Sequence, residues 1–308
     1  MSHGIAKGAP ILSVVLNWNG AKMLYDTLRD LSKQNVSPHR ILVIDNASSD
    51  GSVDSLRVDF PEIELVRLPE NVGFSRGNNA LLFWNGWNEI DWKNGWIFFS
   101  NNDVLYEPDT LERLRKVGED NEDAVSVSSW IAYENPRDQL WFGGGSLYPN
   151  IGIMGHKWFM KYYAGKEDNG VETTDYATAC SVLLPARYFF EVGGFDLRFP
   201  HYGEDADLSL RLKKHYQGNC LLLRKTLAFH RVSSSIGSAN KYHRITAAQV
   251  MLLRTHFQTG VLGYAGVLFY GCAKAIRKKG FAGVVAAWQG WREGMISKDS
   301  TIKWERPQ

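Results

Sequence analysis

Trp96-Ile-Phe-Phe-Ser-Asn-Asn-Asp-Val104 decides how this chain is read. Trp96 to Phe99 form a short, bulky apolar run suited to a buried strand. The run halts at Ser100, Asn101, Asn102 and Asp103. That is the pattern of a central parallel strand reaching its carboxyl edge, where open α/β sheets bind ligands. Asp103 then falls on the rim of a cleft, where a carboxylate can hold a metal-bound phosphate. Taken alone, a strand followed by an Asn-rich turn is the stronger reading, because Asn and Asp favour turns locally.

The flanking sequence repeats the pattern. Ile11 to Leu16 reads as a strand ending at Asn17-Trp18-Asn19-Gly20. Ala21 to Gln34 carries Met23, Leu24, Leu28 and Leu31 at helical spacing. Arg40 to Ile44 is a second strand, closed by Asp45 to Ser52, and Ser52 to Phe60 a short helix. Ile63 to Leu68 is a third strand, Phe74 to Trp87 a helix, and Pro108 to about Gly118 another. This alternation predicts an α/β fold with a mostly parallel, doubly wound sheet flanked by helices. Right-handed crossovers bring the polar strand ends to one edge. Further on, Ala124 to Ser129, Ala177 to Leu184, Cys220 to Leu223 and Thr226 to Phe229 read as strands. Pro185 to Val192 and Glu204 to Tyr216 read as helices, and Ile131 to Thr174 as a hairpin or lid.

Composition excludes several classes. A net charge of +2 over 308 residues lacks the basic excess of a nucleic-acid binder. Cys180, Cys220 and Cys272 are dispersed, with no CxxC pair, so neither a disulfide framework nor a zinc site is expected and a cytoplasmic setting is simplest. Residues 1–10 lack the apolar core of a signal peptide and read as a flexible lead. Val261 to Ala275 is too short and too broken by Gly and Tyr to span a bilayer. The 11 Trp residues suit stacking surfaces, a membrane interface or a Trp-rich core.

Five polar clusters could carry chemistry. Asp45 follows a buried strand, where an acid can accept hydrogen bonds from a base or ribose; Asp50 reads as a capping residue. Gly73 and Gly77 bracket Arg76 at a helix start, a place favourable to anions. No Walker loop and no Gly-x-Gly-x-x-Gly fingerprint is present. Asp103 and His230 could share a divalent cation, magnesium by the carboxylate and manganese by the imidazole. Glu204-Asp205-Ala206-Asp207 sets three acids in a helix's first turn, where the dipole stabilises them; one could serve as a general base.

In this order, the motifs resemble the inverting family-2 glycosyltransferases of the GT-A fold, in particular the rhamnosyltransferase-like branch. The matching pieces run from Val14-Val15-Leu16-Asn17-Trp18-Asn19-Gly20 through Val43 to Ser52, Glu70 to Asn79, Asn101-Asn102-Asp103, Gly193-Gly194-Phe195-Asp196 and Tyr202 to Leu208, to His230. The resemblance implies that Asp103 and His230 hold Mg2+ or Mn2+, Asn101 standing where the family's first Asp lies. It implies that Asp205 is the base, with Glu204 its close competitor. Asp45 would hold the nucleotide. Asn17, Trp18, Asn19, Asn46, Gly73, Arg76, Asn78, Asn101 and Asn102 would complete the donor site. The expected donor is a nucleoside-diphosphate sugar, dTDP-rhamnose or a UDP-sugar such as UDP-galactofuranose. The expected acceptor is a saccharide or a polyprenyl-diphosphate-linked saccharide of a cell-surface polysaccharide, O-antigen or cell wall.

Residues 11–240 are then expected as the catalytic domain, with 11–105 its nucleotide-binding half and 106–240 its acceptor half. In 241–308, helices are predicted from Tyr242 to Phe257, Gly260 to Arg277 and Phe281 to Met295, with Lys274, Arg277, Lys278 and Lys279 clustered between the last two. This helical region suits peripheral docking on the inner face of the cytoplasmic membrane, or packing in a homodimer. A non-catalytic sugar-nucleotide-binding scaffold and a nucleotidyltransferase are the alternatives from other classes.

Overall fold

The computed structural model of the chain describes residues 5–37, 39–88, 94–163, 165–199, 201–232 and 239–297. Residues 1–4 of the expected lead and 298–308 of the expected helical region lie outside them.

The first half runs β1 (Ile11–Asn17), α1 (Ala21–Ser32), β2 (His39–Asp45), α2 (Leu56–Asp59), β3 (Glu64–Arg67), α3 (Phe74–Asn79) and β4 (Trp96–Asn101). Strands β3, β2, β1 and β4 lie side by side, all parallel. Pairing of Asn17 with Asp45, and of Leu16 with Asn101, aligns the polar strand ends on one edge. Alternate residues feed two cores. Ile11, Val15 and Phe98 pack against Leu24 and Leu28 on one face, while Leu12, Val14 and Phe99 pack with Leu42 and Ile44 on the other. Burial on both faces is why these strands read as unbroken apolar runs.

The second half contains β5 (Val104–Tyr106), α4 (Thr110–Asp120), β6 (Ala124–Tyr133), β7 (Leu140–Phe142), β8 (Gly145–Tyr148), β9 (Ile153–His156), β10 (Val171–Thr174), β11 (Ser181–Pro185), α5 (Ala186–Glu191), α6 (Glu204–Tyr216) and β12 (Asn219–His230). It extends the sheet to the order β10-β12-β6-β11-β4-β1-β2-β3. Here β11 runs antiparallel to β4 and β6, while β6 and β12 are parallel. The irregular Ile131–Thr174 segment holds the β8–β9 hairpin.

Several elements differ from expectation for local reasons. The helix predicted over Ser52–Phe60 shrinks to Leu56–Asp59, because Ser52 is engaged by the side chains of Asn17 and Asp50. The helix predicted over Phe74–Trp87 gives way after Asn79 to two 3-10 turns, consistent with the weak helix formers Gly77, Asn78 and Asn79. The two short strands predicted at 220–229 are one strand, β12. Arg224 and Lys225 only looked like a break; they pair with Asp168 and Glu167.

Beyond the sheet come α7 (Ala239–His256) and α8 (Val261–Ile296). At Gly280 the backbone turns to φ 59° and ψ −147°, splitting α8 into two arms. Glycine tolerates that conformation where other residues do not. The arms match the two helices predicted there. The tryptophans divide: Trp96 and Trp130 are buried, whereas Trp18, Trp158 and Trp288 are exposed.

Candidate active site

The aligned strand ends build a lattice of short polar side chains. Asn17 is fully buried, and its Nδ2 donates to Asp45 Oδ1 (3.2 Å), Ser48 Oγ (3.1 Å) and Ser52 Oγ (2.9 Å). Ser48 Oγ donates to Asp45 Oδ1 at 2.5 Å. Asn19 locks onto the same loop: its backbone N–H donates to Ser48 Oγ, and its Oδ1 accepts from Ser49 N. Asn102 Nδ2 donates to Asn17 Oδ1 at 2.7 Å. A Cβ on Gly20 would lie 2.2 Å from Asn17 Oδ1 and 2.3 Å from Asn102 Nδ2, so only glycine leaves room for that bond. Asp50 does cap a helix, but across the loop: its Oδ2 accepts from the N–H of Ala21, the first residue of α1.

Asn46 carries the lattice to the next loop. Its Nδ2 donates to Asn71 Oδ1 and Gly73 O, and its Oδ1 accepts from Val72 N. Among the expected donor residues, Asn17, Asn19, Asp45, Asn46, Gly73 and Asn102 are thus joined by hydrogen bonds. Asn101 lies beside them at the end of β4, its N–H donating to Cys180 O. Trp18 projects outward, 56% exposed, and Arg76 is exposed on α3. Asn78 turns back to its own helix and donates to Phe74 O.

Antiparallel pairing of β5 with β12 sets His230 opposite Val104 and so beside Asp103. Asp103 Oδ1 and His230 Nε2 are 3.2 Å apart. The contact lacks hydrogen-bond alignment: Asp103 Oδ1 is buried without a hydrogen-bond partner, as is His230 Nδ1. Two ligands in adjacent positions of an octahedral cation, bonded at roughly 2.1 Å, lie about 3 Å apart. The pair therefore fits one shared hard cation. Arg231 fixes its backbone: the Arg231 N–H donates to Asp103 O, and its guanidinium spans Glu134, through two bonds, and Asp26 on α1.

The acids open α6, after Tyr202 and Gly203 in the left-handed region. Glu204 is buried, and its Oε2 has no hydrogen-bond partner. Burial, then the neighbouring Asp205 charge, pushes its carboxyl well above the usual range. Asp205 is half-buried, and burial raises its pKa against hydrogen bonds from Ala206 N–H and the Thr178 hydroxyl. Asp207 is fully buried, receiving Arg211 Nε at 2.8 Å and lying 2.8 Å from His256 Nε2 on α7.

Cys180 links the two groups. Burial pushes its thiol well up, and the charges of Asp103 and Asp205 push it further. Cys180 O accepts from the N–H of Asn101, two residues before Asp103, and Thr178 bonds Asp205, so both acids border the segment leading into β11. Sequence patterns did not single out Thr178, His256 or Trp141. The Trp141 ring stands 4.4 Å from that of His230, edge to face, at the wall of the Asp103–His230 pair. An aromatic residue in an irregular segment carries no periodic signal of such a role.

The sequence profile of Glycosyl transferase family 2 matches residues 13–186, more than half of the chain. The chain belongs to that family. This family-2 glycosyltransferase is 24% identical over 213 residues to N-acetylglucosaminyl-diphospho-decaprenol L-rhamnosyltransferase of Mycobacterium tuberculosis (strain H37Rv), covering 65% of this chain and 69% of the relative. It is 26% identical over 208 residues to the uncharacterized glycosyltransferase YwdF of Bacillus subtilis (strain 168), covering 66% and 68%. Solved glycosyltransferases share the fold at 12% identity. GalNAc-T7 with UDP, GalNAc and Mn2+ superposes at a TM-score of 0.59 over 92% of this chain, which spans 54% of that one. The mannosyltransferase PcManGT from Pyrobaculum calidifontis, in complex with GDP-Man and Mn2+, gives 0.51 over 92% and 72%. The family-2 match ends at 186, so Glu204, Asp205 and His230 lie beyond the matched residues.

Proposed function

We propose that this enzyme is an inverting, metal-dependent transferase that moves a sugar from a nucleoside diphosphate to a saccharide hydroxyl. The observation that carries the reading is the placing of the Asp103–His230 pair and of Asp205, which Thr178 bonds, along the segment 178–180 that pairs with Asn101, beside the Asp45 lattice. Residues 11–240 form the catalytic unit, with 11–105 holding the donor and 106–240 the acceptor side. Of residues 241–308, the described part, 241–297, forms the helical region.

In this reading Asp45 receives the nucleoside, Asn17 and Ser48 hold its carboxylate in place, and Asn19 braces Ser48. Trp18 and Arg76, free to reorient, close on the bound nucleotide. Asp103 and His230 hold Mg2+ or Mn2+, which supplies charge neutralisation for the departing diphosphate. Asp205 takes the proton of the acceptor hydroxyl as its oxygen bonds to the anomeric carbon. The bond from that carbon to the diphosphate oxygen breaks, and the configuration inverts. Asp205 is favoured over Glu204 as base because it is the more open of the two, whereas Glu204 carries a sealed oxygen held toward the neutral form.

Rhamnose from dTDP is the proposed donor, supported by likeness to the mycobacterial rhamnosyltransferase. A lipid-linked saccharide of a cell-surface polysaccharide is the proposed acceptor, reached from the cytoplasmic side. Nucleotide release from dTDP-, UDP- and GDP-sugars with Mn2+ tests the donor. A UDP-hexose preferred over dTDP-rhamnose would replace the rhamnose reading; no release from any donor would sink the transferase reading.

A further inference from the structure

Helix α8 is built inside out. Its buried side is small: Gly263, Gly271 and Ala275 on the first arm, Gly283, Gly290 and Gly294 on the second. A Cβ on Gly290 would lie 2.0 Å from His243 O, and one on Gly294 2.7 Å from Ala247 O, so these residues let the second arm press against α7. Val267 is buried among them, and Tyr264 and Trp291 pack against the core, but other large apolar residues face the other way. Leu262, Phe269 and Ile276 are 79%, 78% and 58% exposed, and Phe281 and Trp288 are 80% and 45% exposed. Leu262, Phe269 and Ile276 recur every seven residues, which sets them in one stripe along the helix. Soluble helices bury such a stripe, and a contiguous exposed one marks an interaction surface.

Charge selects the partner. Lys274, Arg277, Lys278 and Lys279 gather at the turn around Gly280, and no acidic residue occurs from Phe257 to Arg292. A symmetric contact with a second copy at this turn would oppose cation to cation. The first arm packs on the β8–β9 hairpin, where a Cβ on Gly152 would lie 2.2 Å from Gly263 O. His156 ends that hairpin, and its ring stands 4.7 Å from that of Trp141, the neighbour of His230. No described helix is long and apolar enough to cross a membrane. An amphipathic element with aromatic residues on one side and cations beside them lies in the plane of the interface instead.

We infer that the α8 hairpin seats the enzyme on an anionic phospholipid surface, its exposed stripe entering the headgroup–acyl boundary and its basic turn lying on the phosphates. The β8–β9 side of the site then faces the headgroup layer, where a lipid-linked acceptor would present its sugar. The biological purpose rests on the lipid-linked-acceptor reading, but the test does not.

The full chain is sedimented with vesicles of phosphatidylcholine containing phosphatidylglycerol and with vesicles of phosphatidylcholine alone, at low and high salt. Binding is expected to the anionic vesicles, weakened by salt. Each cation near the surface is worth about fivefold in partitioning, so a variant with Arg277→Gln, Lys278→Gln and Lys279→Gln partitions on the order of a hundredfold less. Phe269→Ser with Phe281→Ser also lowers binding. Donor hydrolysis in solution is unchanged in both variants, which shows that they are folded. Absent binding to anionic vesicles, equal binding to both vesicle types, or a dimer that buries the stripe and ignores vesicles would overturn the inference. Vesicle binding without donor turnover would sink the transferase reading alone.

Discussion

Asp103 and His230 meet at 3.2 Å through their Oδ1 and Nε2 atoms, and each keeps a buried heteroatom without a hydrogen-bond partner. One carboxylate and one imidazole supply little charge to a dication. Among the described residues no three His, Cys, Asp or Glu side chains gather around one point. Diphosphate oxygens and water would have to complete the shell. Mn2+ affinity, measured by calorimetry, is therefore expected to rise at least tenfold when UDP or dTDP is added. Asp103→Ala should remove the increase. Equally tight binding to the empty enzyme would show that the cation does not depend on the donor.

Asp205→Asn should leave donor binding intact and lower transfer by about 10² to 10⁴, the range for loss of a general base. Glu204→Gln should cost much less, because it keeps the shape of a side chain already held toward its neutral form. The pH profile follows. Burial raises the Asp205 pKa, and a base works only when deprotonated, so kcat should fall on the acid side, starting above the range of an unperturbed carboxylate. The acid limb should vanish in the Asn variant's residual rate. An Asp205→Asn enzyme with full turnover would move the base elsewhere.

Asp207 joins α6 to the helical region through His256, and to Arg211 within α6. Despite burial, bonds to His256 and Arg211 hold its pKa below the usual value. A lowered folded pKa stabilises above the unfolded pKa, and that contribution is lost as pH falls through the folded value. Asp207→Ala leaves Arg211 without its carboxylate and should destabilise the fold by about 3 kcal/mol in urea denaturation. Asp207→Asn should be milder and should flatten the acid limb of stability below about pH 4. An unchanged midpoint in Asp207→Ala would show that the contact is incidental.

His39 is tucked beside Ser13 Oγ at 2.8 Å, and burial lowers its pKa to about 4. The unfolded chain, with an ordinary histidine pKa near 6.5, binds the proton first. Stability is therefore whole above about pH 6.5 and declines as pH falls toward 4. The melting temperature of His39→Gln should drop less over that window. Parallel curves for the two proteins would rule His39 out as a source of acid sensitivity.

Much of the polar edge was legible because its signals are local. Strand apolarity, the polar residues that end each run, and the loop lengths between them are all set by neighbouring residues. Asn17, Asp45, Asn46 and Asn102 follow from that reading and do meet. Asn78, which the resemblance sets at the donor site, donates its amide to Phe74 O one turn back and does not join the lattice through that bond. The β12 strand was divided at Arg224 and Lys225 because a polar pair inside a strand looks like a turn until its partners, Asp168 and Glu167, come into view.

The sequence by itself determined an α/β sheet with its polar ends on one edge, since period and punctuation act over a few residues. Only the tertiary structure decided that β5 would pair with β12 and bring His230 to Asp103, that Thr178 would bond Asp205, and that α8 would turn its glycines inward and its phenylalanines out. These are contacts between residues far apart along the chain. Strand pairing and helix packing select them, and no local pattern of side chains encodes which partner each will find.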